Sequence, residues 1–311
     1  MDDLFGRDLF GNPIRPPSTG PVAARFTFAP FTTLDARSGE WQERKRAWTS
    51  IGIRSEEART CEGKNAWNDL SLNPRAAEST RKIAGVGDGP TIFDPVLCEL
   101  VYRWWSSPSG VVLDPFAGGS VRGIVAGCLG RRYWGGELRP EQVEANRAQA
   151  DTIRPKVAPL WTCGDSRLTL GDAPDADLVF SCPPYGDLEV YSDDPSDLSA
   201  MDWGDFLTAY REIITASCSR LRQDRFACFV VGDFRDGRGC YRNFVGETIA
   251  AFLGAGLELY NEAILLTSVG SAAMRVSKQF AAGRKLCKVH QNVLVFVKGN
   301  PARAARACGD L

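Results

Sequence analysis

Apolar positions along the chain fall into two regimes. Up to residue 90 they are scattered, whereas from Phe93 onward short apolar runs alternate with stretches of helical period. PVLCELVYRWW (95–105) spaces its apolar residues as a helix does and carries Pro95 in its first turn, where the missing N–H costs nothing. GVVLDPFAGGS (110–120) reads as a buried strand broken by a glycine turn, and VRGIVAGCLG (121–130) as the helix that follows. RYWGGEL gives a second strand, PEQVEANRAQADTI a solvated helix, and WTCGDSRL a third strand ending at Asp165. A fourth strand, Asp177 to Ser181, stops at Pro183 and Pro184, which lack N–H groups and fix φ, so the chain must leave the sheet there in a rigid turn. Asp202 to Leu221 reads as a helix, RFACFVVGDFRD (225–236) as a fifth strand and RNFVGETIAAFLGAGL (242–257) as a helix. LELYNEAILLT and HQNVLVFVKG supply the last two strands.

This alternation predicts an α/β fold, a doubly wound, mostly parallel seven-stranded sheet with an N-terminal extension. Residues 91–300 are expected to form the main domain, 1–90 the extension and 301–311 a polar tail. Within the extension, residues 1–40 read as an irregular arm and 54–90 as a linker. EWQERKRAWTSIGI (40–53) reads as a helix mixing Trp41 and Trp48 with Arg44 and Lys45. It would either lie on a phosphate backbone or pack its tryptophans on the main domain.

The net charge of −1 means that nucleic-acid binding would need a local basic patch. Residues 271–290 offer one, a loop carrying Arg275, Lys278, Arg284, Lys285 and Lys288 without an acid, ending at the only histidine, His290. The opposite bias occupies 186–206, with seven acids and no base. These acids would face solvent, cap the next helix or accept from base edges. Ten cysteines without a CxxC pair suggest a reduced protein without a metal site. No apolar run approaches the roughly 18 residues of a membrane span, and no signal pattern opens the chain, so a cytoplasmic location in a bacterial or phage-infected cell is expected.

Candidate chemistry collects at the predicted strand ends. A glycine turn between strand and helix lets a ligand approach the backbone and meet free helix N–H groups. Glu137, about twenty residues beyond the turn, stands where an acid accepts from ribose hydroxyls. Tyr185, after the prolines, offers an aromatic face and the turn a carbonyl acceptor, which suits a flat base removed from a nucleic-acid stack.

Taken in order, the DPFAGGS turn, Glu137, the CGDS acid Asp165 and the CPPY loop resemble the S-adenosylmethionine-dependent DNA amino-methyltransferases, which modify adenine N6 or cytosine N4. The likeness is nearest to phage and prophage modification methylases, and TIFDPVLCELV (91–101) resembles a further element of that family. It implies S-adenosyl-L-methionine as cofactor and double-stranded DNA as partner. It assigns the cofactor to Phe93, Asp94 and Pro95, to Asp114, Pro115, Phe116, Ala117, Gly118, Gly119 and Ser120, to Glu137 and Leu138, and to Gly164, Asp165 and Ser166. Within that set, Asp114 or its neighbours would meet the ammonium group, Glu137 the ribose and Asp165 the adenine amine. Ser120 stands where the family often has glycine. The catalytic group would be Cys182, Pro183, Pro184 and Tyr185, with Ser181 nearby.

Cys182 departs from the Asp, Asn or Ser usual at its position, and sulfur is a weak acceptor. Three readings follow: a stand-in for serine beside the Pro183 carbonyl, a thiolate that attacks a pyrimidine carbon, or a silent DNA-binding regulator. An RNA substrate is a further alternative.

Overall fold

The computed structural model describes residues 21–54, 93–186, 191–270 and 272–310. The elements are α1 (Pro21–Phe26), β1 (Thr33–Asp35), α2 (Gly39–Ser50), α3 (Pro95–Trp105), β2 (Val111–Asp114), α4 (Val121–Cys128) and β3 (Arg132–Glu137). There follow α5 (Pro140–Ile153), β4 (Leu160–Cys163), α6 (Ser166–Thr169), β5 (Ala176–Ser181), α7 (Trp203–Arg220) and β6 (Leu221–Val231). The chain ends with α8 (Phe244–Gly254), β7 (Glu258–Leu266), α9 (Ala272–Gly283), β8 (His290–Lys298) and α10 (Pro301–Ala307).

The sheet has eight strands in the order β1-β7-β8-β6-β5-β2-β3-β4. All neighbours pair in parallel except β8, which runs antiparallel to both β6 and β7. Helices cover both faces. One core cluster joins α3 and α4 to residues such as Val112, Phe180 and Val295, and a second joins α7 and α8 to Leu113, Val179 and Phe296. Neighbouring residues of a strand point to opposite layers, which is why β5 is buried throughout and reads as a continuous apolar run.

The strand directions create one functional rim. Asp114, Glu137, Ser181, Val231 and Leu266 end parallel strands, and pairing of Leu266 with His290 and of Val231 with Asn292 brings the start of β8 to the same edge. The linkers after β5, β6 and β7 therefore converge where an open α/β sheet binds its ligands.

Four features differ from the sequence reading. An eighth strand, β1, comes from the stretch read as an irregular arm; at three residues it is too short to show a period. The stretch read as a basic loop is largely the helix α9, and the polar tail forms α10, capped by Asn300. Strand β6 begins at Leu221, directly after α7, four residues before the expected Arg225.

For α2, the side chains settle how it lies. Trp41 and Trp48 are buried on the domain. Glu99 of α3, fully buried, accepts from Arg44 Nε (2.6 Å), Trp48 Nε1 (2.8 Å) and Arg103 Nε (2.8 Å). Burial opposes ionisation of Glu99, but hydrogen bonding and attraction from Arg44, with Arg103 and Trp48, hold its pKa below the ordinary 4.5. The aromatic and basic residues of α2 thus fasten the helix to α3, so they are not laid out for a phosphate backbone.

Candidate active site

Beneath the rim is a cavity of about 590 Å³, within the usual range for small-molecule and cofactor sites. The glycine turn after β2 forms one wall. Gly118 takes φ of +50°, which suits glycine, and its N–H donates to Glu137 Oε2 at 2.9 Å. The other Glu137 oxygen accepts from the Arg139 N–H at 3.0 Å. Asp165 caps α6 by accepting from the Arg167 N–H (2.8 Å), and the Arg167 guanidinium bonds it at 2.7 Å. Asp165 therefore has both structural roles open to such an acid while still lining the cavity.

Of the residues assigned to the cofactor, Phe93, Asp94, Pro115, Phe116, Gly118, Gly119, Glu137, Leu138, Gly164, Asp165 and Ser166 line this cavity. Pro95, Asp114, Ala117 and Ser120 do not. Asp114 is fully buried and accepts from Arg122 Nε (2.6 Å), Tyr133 Oη (2.7 Å), Ser181 Oγ (2.5 Å) and the Phe116 N–H (3.2 Å). Its carboxylate is saturated from within, so it shapes the turn and is not the group that meets an ammonium. Ser181 stands outside the expected catalytic group for the same reason: its hydroxyl, fully buried, donates to Asp114, and the residue does not line the cavity. Ser120 is turned away, donating to Gln149 Oε1 at 3.1 Å. Pro95 and Ala117 are buried in the packing.

Arg122 is the residue that sequence reasoning missed. From α4 it also donates to the carbonyls of Phe116 (2.6 Å) and Ala117 (2.8 Å), and its guanidinium lies 4.6 Å over the Phe93 ring. Burial works against its charge, yet the Asp114 carboxylate more than offsets this and holds its pKa above the ordinary arginine value. One buried ion pair thus fixes the glycine turn, the end of β2 and Phe93 together. A basic residue in an apolar helix gave no sign of that task.

The prolyl corner that follows β5 lines the same cavity. Cys182, Pro183, Pro184 and Tyr185 all line the cavity. The Tyr185 hydroxyl accepts from Gln291 Nε2 at 2.8 Å and hydrogen-bonds the Cys182 thiol. Burial pushes its phenol well above the ordinary range, so it stays neutral. Its ring stands edge-on to Phe234 (6.2 Å) and Phe244 (6.0 Å). Gly186 lets the chain turn away: φ is +56°, and a Cβ there would come within 3.1 Å of the Phe234 ring.

Acids of the 186–206 stretch within the described residues act mainly as caps. Asp197 accepts from the Ser199 N–H (2.9 Å) and Ser192 Oγ (2.9 Å), and Asp202 caps α7 through the Gly204 (2.8 Å) and Asp205 (3.0 Å) N–H groups. Asp187 and Glu189 lie outside the described residues.

The basic residues cluster along the neighbouring rim. Lys278 and Arg284 are exposed on or just after α9, none of whose described residues is buried, and Arg275 is part-exposed on the same helix. Lys285 reaches back against Gly239 in the linker after β6, which brings Arg235 and Arg238 into the same surface. Lys288 differs: it is half-buried beside Gly232, donates to Asn292 Oδ1 at 3.3 Å, and burial lowers its pKa despite Asp233 and Glu262. His290 is held below its ordinary value by burial and by Lys288.

No helix among the described residues is long and apolar enough to cross a membrane, and no cluster among them has a metal-binding set. The fold resembles that of TrmN from Thermus thermophilus, at 17% identity and a TM-score of 0.45, covering 70% of this chain and 52% of that one. The chain thus spans about half the length of that protein. It also resembles a candidate RNA methyltransferase from Pyrococcus horikoshii (14% identity, TM-score 0.46, covering 83% of this chain and 100% of that one). A third is magnesium protoporphyrin IX methyltransferase from Synechocystis, solved with bound SAM (13% identity, TM-score 0.43, covering 73% and 93%). At these scores the likenesses say nothing of substrate. No curated protein matches the sequence. The model of a DNA methylase family does match, over residues 30–148, from β1 through the glycine turn and Glu137 into α5. That segment, less than half of the chain, holds the glycine turn and Glu137 that line the cavity, and over it the chain is similar to the N6/N4 DNA methylases.

Proposed function

We propose that this protein methylates the exocyclic amine of a base in double-stranded DNA, cytosine N4 or adenine N6, after the base has left the stack. The observation that carries this reading is that one cavity is lined both by Phe116 and Gly118 of the glycine turn and by Cys182, Pro183, Pro184 and Tyr185 of the prolyl corner.

When bound, the cofactor supplies an electrophilic methyl group on a sulfonium. The acidic and aromatic groups of the donor wall fit it: Glu137 would accept from ribose hydroxyls, Asp165 from the adenine amine, and Phe93 and Phe116 would cover apolar surface. At the corner, Tyr185 would stack on the target base. The Pro183 carbonyl would accept one amine hydrogen and Cys182 would sit beside the other as a weak acceptor. Such contacts aim the nitrogen lone pair at the methyl carbon, and alignment of two reactants supplies much of the rate gain. Arg275, Lys278, Arg284 and Lys285, with Lys288 nearer the corner, would contact phosphates and position the duplex.

The substrate class is tested by incubating the protein with a methyl-labelled donor and equal amounts of duplex DNA and structured RNA. Label in the DNA supports the reading; label in RNA alone, or in neither, overturns it.

A further inference from the structure

The wall beyond Asp94 is built by the N-terminal segment. Gln42 and Lys45 of α2 line the same cavity as Phe116 and Gly118. Asp94 is the N-cap of α3, and its Oδ1 accepts from the Val96 N–H (2.9 Å), the Leu97 N–H (3.4 Å) and Trp41 Nε1 (3.2 Å). Its Oδ2 is 3.1 Å from Lys45 Nζ. An ammonium has three N–H donors, and this bond uses one. Both side chains keep contact with solvent, Lys45 at 32% and Asp94 at 14% exposure.

The other buried cations of the cavity are committed. Arg122 bonds Asp114 and two carbonyls, and Arg139 bonds Gln142 and pairs with Glu137 and Glu141. The pair Lys45–Asp94 is next to Phe93, whose ring lies under Arg122, the residue that holds the Phe116 carbonyl. An accessible cation and an accessible anion thus stand side by side at the turn, matching the carboxylate and ammonium at the amino-acid end of S-adenosylmethionine.

We propose that Lys45 and Asp94 clamp this end of the cofactor, Lys45 holding the carboxylate and Asp94 the ammonium, so that α2 completes the donor site. The inference rests on the cofactor assignment and is independent of the methyl acceptor. It is tested by calorimetric binding of S-adenosylhomocysteine, which keeps the zwitterion, and 5′-deoxy-5′-methylthioadenosine, which lacks it. Lys45→Met should weaken the first by about 10- to 100-fold, as removal of a charge-assisted hydrogen bond does, and leave the second within about twofold. Lys45→Arg should restore most of the first. Arg54 also lines this cavity. Equal losses for both ligands, no loss for either, or a selective loss with Arg54→Met but not with Lys45→Met would overturn the clamp. Failure of the unaltered protein to bind either ligand would overturn the cofactor assignment with it.

Discussion

At the residue scale, the chemistry turns on Cys182. If it serves as an acceptor next to the Pro183 carbonyl, Cys182→Ser puts a stronger oxygen acceptor in place of the sulfur and should retain measurable methyl transfer, while a thiolate adding to a ring carbon would lose all turnover. Steady-state transfer of labelled methyl groups separates the two. Tyr185 separates stacking from hydrogen bonding. Tyr185→Phe removes only the bonds to Gln291 and Cys182, whereas Tyr185→Ala also removes the ring and should weaken binding of DNA carrying an unpaired target base by roughly 1–3 kcal/mol. Titration with such duplexes should show the alanine variant weaker than the phenylalanine one; equal affinities would count against stacking. Glu137, Asp165 and the prolyl corner were legible in the sequence because strand ends and chain breakers mark their own positions. The turn's internal support was not. Asp114 and Ser181 read as ligands because the sequence shows that they end strands but not that they face each other across β2 and β5, 2.5 Å apart. Arg122 gave no sign because a basic residue in a helix is usually solvated, and Lys45 read only as part of a helix that would meet phosphates or pack on the main domain.

At the element scale, two helices carry separable predictions. Docking of α2 depends on ionised Glu99. Its pKa in the folded protein is depressed below 4.5, so its stabilisation is fully present above that value and is lost as pH falls through the folded-state pKa. Thermal melting should therefore weaken steeply below pH ~4.5, and Glu99→Gln, which removes the carboxylate shared by Arg44 and Arg103, should melt lower near neutral pH and show a flatter acid dependence. Helix α9 bears on the partner. If it touches phosphates, replacing exposed Lys278 and Arg284 with glutamine should reduce the slope of log affinity against log salt by about 0.9 for each phosphate no longer neutralised. An unchanged slope would place the DNA elsewhere. That α9 is a helix was hidden in the sequence: no acid opens its first turn and no basic residue closes its last, so the segment stood out by charge and not by period. Strand β1 was hidden by its length. The central strands β2, β5 and β8 were legible because burial on both faces makes each a run of mainly apolar residues.

At the scale of the whole molecule, an almost neutral chain places an acid-free basic segment, residues 271–290, between β7 and β8. The antiparallel insertion of β8 between β6 and β7 turns this linker back to the carboxyl rim, beside the prolyl corner. The glycine turn, the prolyl corner and the basic helix then share an edge through strand direction alone. The account stands or falls on the atom that receives the methyl group. Duplex DNA incubated with the protein and a methyl-labelled donor, digested to nucleosides and resolved by mass spectrometry, should carry the label on N4-methylcytosine or N6-methyladenine. Label on carbon 5 of cytosine, or DNA left unlabelled by a protein that binds the donor, would contradict it.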